Sequence, residues 1–223
     1  MLESKESPLV SPLISEKSTI YAHILNDIAN AVFHSGDRLI STKLAEKYQT
    51  SINPVREALK QLQGEGFVTV EPNSGARVAL FEYNTLRDVF EILQLLEPYL
   101  MTWFVEEHTD EDRLEMERLL NEMETASDKE YRSLDTQFHW LTVKNHYNQK
   151  AVDLWRRNRL ILLAMQSNVR LNTTRIKQSI EEHKRIIRGL ENRDVKTVLD
   201  IMNEHIGNSG QYWTKYLQRN NMR

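Results

Sequence analysis

Around Gly66 the spacing of apolar residues changes from three and four positions to something nearer two. Phe67, Val68 and Val70 precede the turn residues Pro72-Asn73-Ser74-Gly75, and Ala76, Val78 and Leu80 follow them. Alternation on either side of a Pro/Asn/Gly turn predicts a β-hairpin, with Arg77 just inside the returning strand and near enough to its tip to face an outside anion. What lies before and after repeats at helical spacing, so the chain reads as mainly α with one hairpin.

Three helices are expected ahead of the hairpin. Ile20, Ile24, Ile28, Ala31 and Val32 make one stripe through residues 17–34, closed by Gly36-Asp37-Arg38. Ser41 is placed to cap a second, short helix with Leu44 and Ala45 inward and Lys47 outward, and Gln49 and Thr50 form the next turn. In the third, residues 51–66, Ser51 or Asn53 can cap, Pro54 suits the first turn, and Val55, Ala58, Leu59 and Leu62 form the inward stripe. Asn53, Arg56, Lys60 and Gln63 fall on its other faces, so this helix is built to be presented rather than buried. Three helices and a two-stranded wing are the plan of a winged helix-turn-helix, whose third helix enters the DNA major groove.

Bulk charge neither supports nor excludes that plan. The net charge is -3, and residues 1–80 hold eight Lys or Arg against nine Asp or Glu, so a DNA-binding role must rest on local arrangement. The absence of cysteine excludes disulfides, thiolate metal sites and cysteine nucleophiles. The start, MLESKESPLVSPLIS, carries acids and prolines where a secretory signal needs a basic start and an apolar run, and no later stretch is long enough to span a bilayer. A cytoplasmic protein without a membrane partner is therefore expected.

Residues 1–16 read as a flexible arm, residues 17–82 as the winged domain and residues 83–223 as a second, all-helical domain. Six amphipathic helices are expected there, over about 85–107, 110–126, 130–145, 150–171, 175–191 and 194–217, giving an antiparallel bundle. The first has Leu86, Val89, Phe90, Leu93, Leu96, Leu100 and Phe104 inward and a bend at Pro98. The second has Leu114, Met116, Leu119, Leu120 and Met123 inside.

Four side chains of the bundle carry chemistry. Asp135 and His139 are four apart, which puts a carboxylate and an imidazole one above the other on a helix face. His183 and His205 belong to two further helices. Packed side by side, these helices would bring one carboxylate and three imidazoles onto a divalent cation, zinc first, then nickel or manganese, with coordination positions left open. By spacing alone, ordinary core or surface histidines are the commoner reading. His146, seven after His139, is a rival ligand at the edge of the same helical face but is ranked as a surface or outer residue, and Glu182 and Glu204, each preceding a histidine, are taken as pointing away. Trp155, Arg159, Leu162, Gln166 and Val169 share one stripe, which offers Arg159 and Gln166 as contacts for an anion; a salt bridge is the rival role for Arg159.

The same residues resemble two known families. Gly36-Asp37-Arg38-Leu39, Leu44-Ala45-Glu46, the run Ser51 to Leu59, Leu62, Glu65-Gly66-Phe67-Val68 and Gly75 to Val78 resemble the N-terminal domain of GntR-type bacterial transcription regulators. Asp135-Thr136-Gln137-Phe138-His139, Asn148, Glu182-His183 and Glu204-His205 resemble the FCD effector domain of the FadR-like branch. The resemblance implies that Arg56 and Asn53 contact base edges and nearby phosphates, that Arg38, Thr42, Lys43 and Ser51 hold the DNA backbone, and that Gly75 and Arg77 serve the wing.

It also implies that Asp135, His139, His183 and His205 are metal ligands. A small carboxylate effector is then expected at the metal, with Arg159 and Gln166, offered by their stripe and not by the resemblance, as its contacts, and a homodimer, acting as a repressor, is expected to read a pseudopalindromic operator. This chain departs from the pattern twice. Ile52 stands where the family commonly has a base-contacting arginine, and Leu93 stands four residues before Glu97 where many FCD proteins carry an arginine. For Arg56 an ion pair with Glu57 or Glu46 is the alternative, and for Arg38 a purely structural tie between turn and wing. A direct metal sensor and a metal-dependent hydrolase are the competing functions, the latter lacking a general base outside the ligand positions.

Overall fold

The computed structural model describes residues 13, 19–71, 75–166 and 171–221. Apart from Leu13, which is buried, the expected arm lies outside the described residues, as do the wing tip 72–74 and Val169. Contacts divide the chain into two compact units, Met1–Glu82 with Leu160–Asn168, and Tyr83–Arg159 with Val169–Arg223.

In the first unit α1 (Ile20–Ala29) starts at Thr19, whose hydroxyl accepts from the Ala22 amide at 3.1 Å. The helix ends earlier than its apolar stripe suggests. Ala31 turns left-handed at φ 55°, and the amides of Ala31 and Val32 close back on the carbonyls of Ile28 and Asp27, a Schellman ending made without glycine. Val32 is thereby thrown outward and is 51% exposed. In α2 (Ser41–Lys47) Ser41 is the first helical residue and Ile40 the cap, so the expected serine cap is absent; Leu44 and Ala45 are buried as expected. Asp27 accepts from Lys47 Nζ at 2.5 Å and from the Tyr48 hydroxyl at 2.8 Å, tying α2 to α1.

Helix α3 (Ile52–Gly64) buries Val55, Ala58, Leu59 and Leu62 and leaves the opposite side to solvent. The hairpin forms from β2 (Val68–Glu71) and β3 (Gly75–Val78), antiparallel with Val70 opposite Ala76. A third short strand, β1 (Arg38–Leu39), joins its far edge, giving the order β1-β3-β2 where the sequence suggested two strands. Two residues are too few to show a period, which is why β1 escapes sequence reasoning.

The second unit is all helical: α4 (Tyr83–Glu107), α5 (Asp110–Thr125), α6 (Asp128–Val143), α7 (Gln149–Gln166, whose last turns group with the first unit), α8 (Thr173–Glu191) and α9 (Val195–Asn221). Capping boxes at Thr109/Asp112 and Ser127/Glu130 set the starts of α5 and α6. α4 packs along α9 and α6, α5 along α6 and α8, and α8 along α9. The inward residues of α4 and α5 are largely those expected. Leu114 is the exception at 55% exposed, because it lies off the face shared by Met116, Leu119, Leu120 and Met123. No described helix is long and apolar enough to cross a membrane.

Gly189 sits close against α9: a Cβ added there would lie 2.5 Å from Val198 Cγ2. Gly189→Ala gains roughly 1 kcal/mol of helix propensity and loses about 1–3 kcal/mol to overpacking against a valine with few rotamers. A net destabilisation is expected in a thermal melt, about 2–4 °C lower per kcal/mol; an unchanged or raised midpoint would mean the α8–α9 contact is looser than described.

Candidate functional site

Helix α6 delivers Asp135 and His139 one turn apart, while α8 and α9 deliver His183 and His205. One ligand atom from each of the four lies within 4.8 Å of every other, although the residues span 70 positions of sequence. Asp135 Oδ1 is 3.9 Å from His139 Nε2 and 3.8 Å from His183 Nε2, and the Nε2 atoms of His139 and His205 face each other at 3.2 Å. Phe138 stacks on the His183 ring with centroids 4.2 Å apart.

The surrounding charges explain why these groups tolerate burial. Burial works to raise the Glu97 carboxyl, but His139, Arg159 and the Trp155 indole outweigh it and bring it down to about 2. Burial works the same way on Asp135, which His139 and Arg159 nonetheless hold well below the ordinary carboxylate range. Glu182 is lowered too, its burial overcome by His205 and Arg175. Burial pushes His183 far down, reinforced by His205, and burial lowers His205 against the pull of Glu182. Both imidazoles are therefore neutral at pH 7, the form that offers a lone pair.

Hydrogen bonds complete the picture. Arg159 Nη2 donates to Asp135 Oδ2 at 2.9 Å, and the Tyr131 hydroxyl reaches Oδ1 at 3.4 Å. Trp155 Nε1 donates to Glu97 Oε1 at 2.9 Å, while Glu97 Oε2 lies 3.3 Å from His139 Nδ1 without the alignment of a hydrogen bond. His205 Nδ1 meets Glu182 Oε2 at 2.7 Å. His183 is fully buried and neither ring nitrogen has a hydrogen-bond partner. Each buried polar atom left so costs about 1–3 kcal/mol. Three imidazoles and a carboxylate within reach of one another, with both His183 nitrogens unpartnered, form a donor set that fits a divalent cation.

Several expectations change here. His146 is buried, not at the surface, and stands outside the cluster, packed against Tyr99, Trp103 and Tyr147. Since α6 ends at Val143, the helical face that would have linked His146 to His139 does not extend that far. Glu182 is not directed away from the site: it bonds a cluster histidine. Glu204 does stay outside, exposed and paired with Arg185 at 2.9 Å. Arg159 is buried against Asp135, and Gln166, seven residues on, is half-buried. Glu97, Trp155, Arg175 and Asn208 were not singled out as site residues. The one signal for them was the seven-residue spacing of Arg175 and Glu182, two turns on one helix face.

In the first unit the residues singled out for DNA are all exposed, Ser51 included; Ser51 is the α3 cap residue, though its hydroxyl makes no cap bond. Asn53 and Arg56 are exposed on α3, Thr42 and Lys43 on α2, and no ion pair from Arg56 to Glu57 or Glu46 forms among the described residues. Arg38 and Arg77 are cross-strand neighbours on β1 and β3. The side chain that joins the post-α1 turn to the sheet is Arg77, whose Nη1 donates to the Gly36 carbonyl at 3.1 Å beside the backbone bonds of Gly36 and Asp37 with Val78, and not Arg38. Gly75 opens β3 at φ 78°, a backbone that side chains disfavour.

Residues 16–78 match the bacterial regulatory proteins of the gntR family, and residues 88–208 match the FCD domain, more than half of the chain. The chain belongs to the GntR family of bacterial regulators. It is 28% identical over 201 residues to the HTH-type transcriptional repressor GlaR of Escherichia coli (strain K12), covering 83% of this chain and 90% of that protein. It is also 28% identical over 203 residues to the Uxu operon regulator of Haemophilus influenzae, covering 82% and 76%. Among solved structures E. coli McbR/YncC shares the fold, with a TM-score of 0.75, 20% identity and coverage of 88% and 96%. This GntR-family regulator thus carries a winged helix for DNA and an FCD bundle, and its function is transcription regulation, not catalysis.

Proposed function

We propose that this regulator is a homodimeric, metabolite-responsive repressor whose FCD bundle holds a divalent metal on Asp135, His139, His183 and His205. In this reading residues 17–82 are the DNA-binding domain and residues 83–223 the effector-binding and dimerisation domain. The observation that carries it is His183, fully buried with two partnerless nitrogens beside a carboxylate and two further imidazoles. When bound, the metal supplies positive charge and open coordination positions for an oxygen ligand.

The charge balance around the cluster supports a small carboxylate as effector. Of the charged groups that bond or adjoin the four residues, Asp135, Glu97 and Glu182 against Arg159 and Arg175 leave one net negative charge. A divalent cation turns that into one net positive charge, which a singly charged carboxylate neutralises. Arg159, buried with its Nε without a partner, and Gln166 are assigned to the effector, Arg159 in place of the arginine that Leu93 lacks. On the DNA side Arg56 and Asn53 read base edges, Arg38, Thr42, Lys43 and Ser51 hold phosphates, and Gly75 and Arg77 seat the wing. Two such heads on a twofold axis match a pseudopalindromic operator, in the cytoplasm.

Effector binding alters DNA affinity only through a preference for one placement of the paired heads, a coupling of about 1–3 kcal/mol. Calorimetry of the zinc-loaded chain against a panel of small carboxylates tests the reading. One acid should give heat that Arg159→Ala removes while DNA binding persists; no heat from any acid would rule out the carboxylate effector. A DNA-shift assay with chelator, and with and without that acid, separates an effector-responsive repressor from a direct metal sensor.

A further inference from the structure

Two of the three cluster imidazoles are backed by buried carboxylates outside the ligand set, and the third is not. We infer that Glu182 and Glu97 are positioning residues that turn the Nε2 lone pairs of His205 and His139 toward a common centre, leaving His183 as the ligand that is not held; the inference rests on the metal-binding reading above.

Glu182 cannot swing away. Its Oε2 takes His205 Nδ1 at 2.7 Å and Arg175 Nη1 at 3.1 Å, and its Oε1 takes Asn208 Nδ2 at 2.7 Å. An ionised carboxylate only accepts, so the His205 proton sits on Nδ1 and the lone pair on Nε2. Arg175 Nη2 also reaches the His205 carbonyl at 3.4 Å, fastening backbone and ring together. Glu97 stands behind His139 from α4 without yet bonding it: Trp155 Nε1 fixes Oε1 at 2.9 Å, and Oε2 lies 3.3 Å from His139 Nδ1 without the alignment of a hydrogen bond. The His205 Nε2 lone pair faces His139 Nε2 across 3.2 Å, a hydrogen bond while His139 carries its proton on Nε2. With both protons on Nδ1 the two lone pairs repel unless a cation lies between them, so metal uptake moves the His139 proton to the Glu97 side.

His183 is held differently. Its ring packs on Phe138 and against the His139 and His205 rings, and neither nitrogen is hydrogen-bonded, so no hydrogen bond selects a tautomer. Partners of this kind behind a ligating imidazole typically change metal affinity 10–100-fold. The competing role for Glu182 and Glu97 is a plain staple, α8 to α9 and α4 to α7, which would be indifferent to the tautomers.

The test uses the full chain, labelled with nitrogen-15 at histidine and stripped of metal, and reads tautomers from two-bond proton–nitrogen correlations. In the stripped chain His205 should carry the proton on Nδ1 and His183 should show a mixture; on adding zinc, His139 should carry it on Nδ1 too. In Glu182→Gln the His205 preference should weaken and the zinc dissociation constant, by competition with a chromophoric chelator, should rise 10–100-fold. Glu204→Gln, at the exposed glutamate preceding His205, should change neither. A wild-type His205 protonated on Nε2, or a Glu182→Gln chain with unchanged tautomer and zinc affinity, overturns the inference. The wild-type spectrum decides even where the variant fails to fold. A wild-type chain that takes up no zinc would sink the metal reading, whereas this one stands or falls on the tautomers.

Discussion

Arg56→Ala is expected to lower affinity for the operator by about 30-fold to 10⁴-fold, since a bidentate guanidinium–guanine contact discriminates by about 1–3 kcal/mol and a dimer makes it twice. The side chain is exposed on α3 and holds nothing else in place, so melting temperature and metal content should match the wild type. Lys43→Ala provides the contrast. A phosphate contact weakens all sequences alike and takes about one unit per half-site from the salt dependence, whereas loss of Arg56 erodes the preference for one sequence. Footprinting across a salt series reads both effects. Protection of the operator by the Arg56→Ala chain, at wild-type concentration, would remove α3 from the role of reading helix.

His183→Leu should have opposite effects with and without metal. In the stripped chain it removes two buried nitrogens that lack partners and fills much of the same volume, so stability should hold or rise by about 1–3 kcal/mol. With zinc at a hundredfold its dissociation constant the wild type should gain about 2.7 kcal/mol, about 5–11 °C for a chain of this length. The variant should gain none of it. Calorimetric melts with zinc and with chelator give all four values. Coincident wild-type melts under the two conditions would show that no ion stabilises the fold, and a destabilised stripped variant would mean that His183 has a partner after all.

Much of the site and most of the fold could be read before any coordinates. The four metal-ligand candidates come from α6, α8 and α9, and each lies on the inward side of its helix because the surrounding apolar residues keep a helical period. Failures cluster where that period ends. His146 was placed by extending α6 past Val143, and Val32 by extending α1 past the left-handed turn at Ala31. Both errors come from letting a stripe outrun its helix, and boundaries depend on caps that a stripe does not encode.

What the amino-acid order alone determined is local: the helical periods, the one change of period at the hairpin, the apolar side of α3 and hence its exposed arginine. Backbone hydrogen bonds and side-chain repeats act over a few residues, so these follow wherever the chain is placed. The pairing of β1 with β3, the facing of His139 and His205 across 66 positions, and the carboxylates behind them were decided only by packing. Nothing in the neighbourhood of Glu97 or Glu182 marks them as partners of a histidine on another helix. Their roles arise because helix packing sets which distant side chains share a buried space, and burial then requires each charge there to have a counterpart.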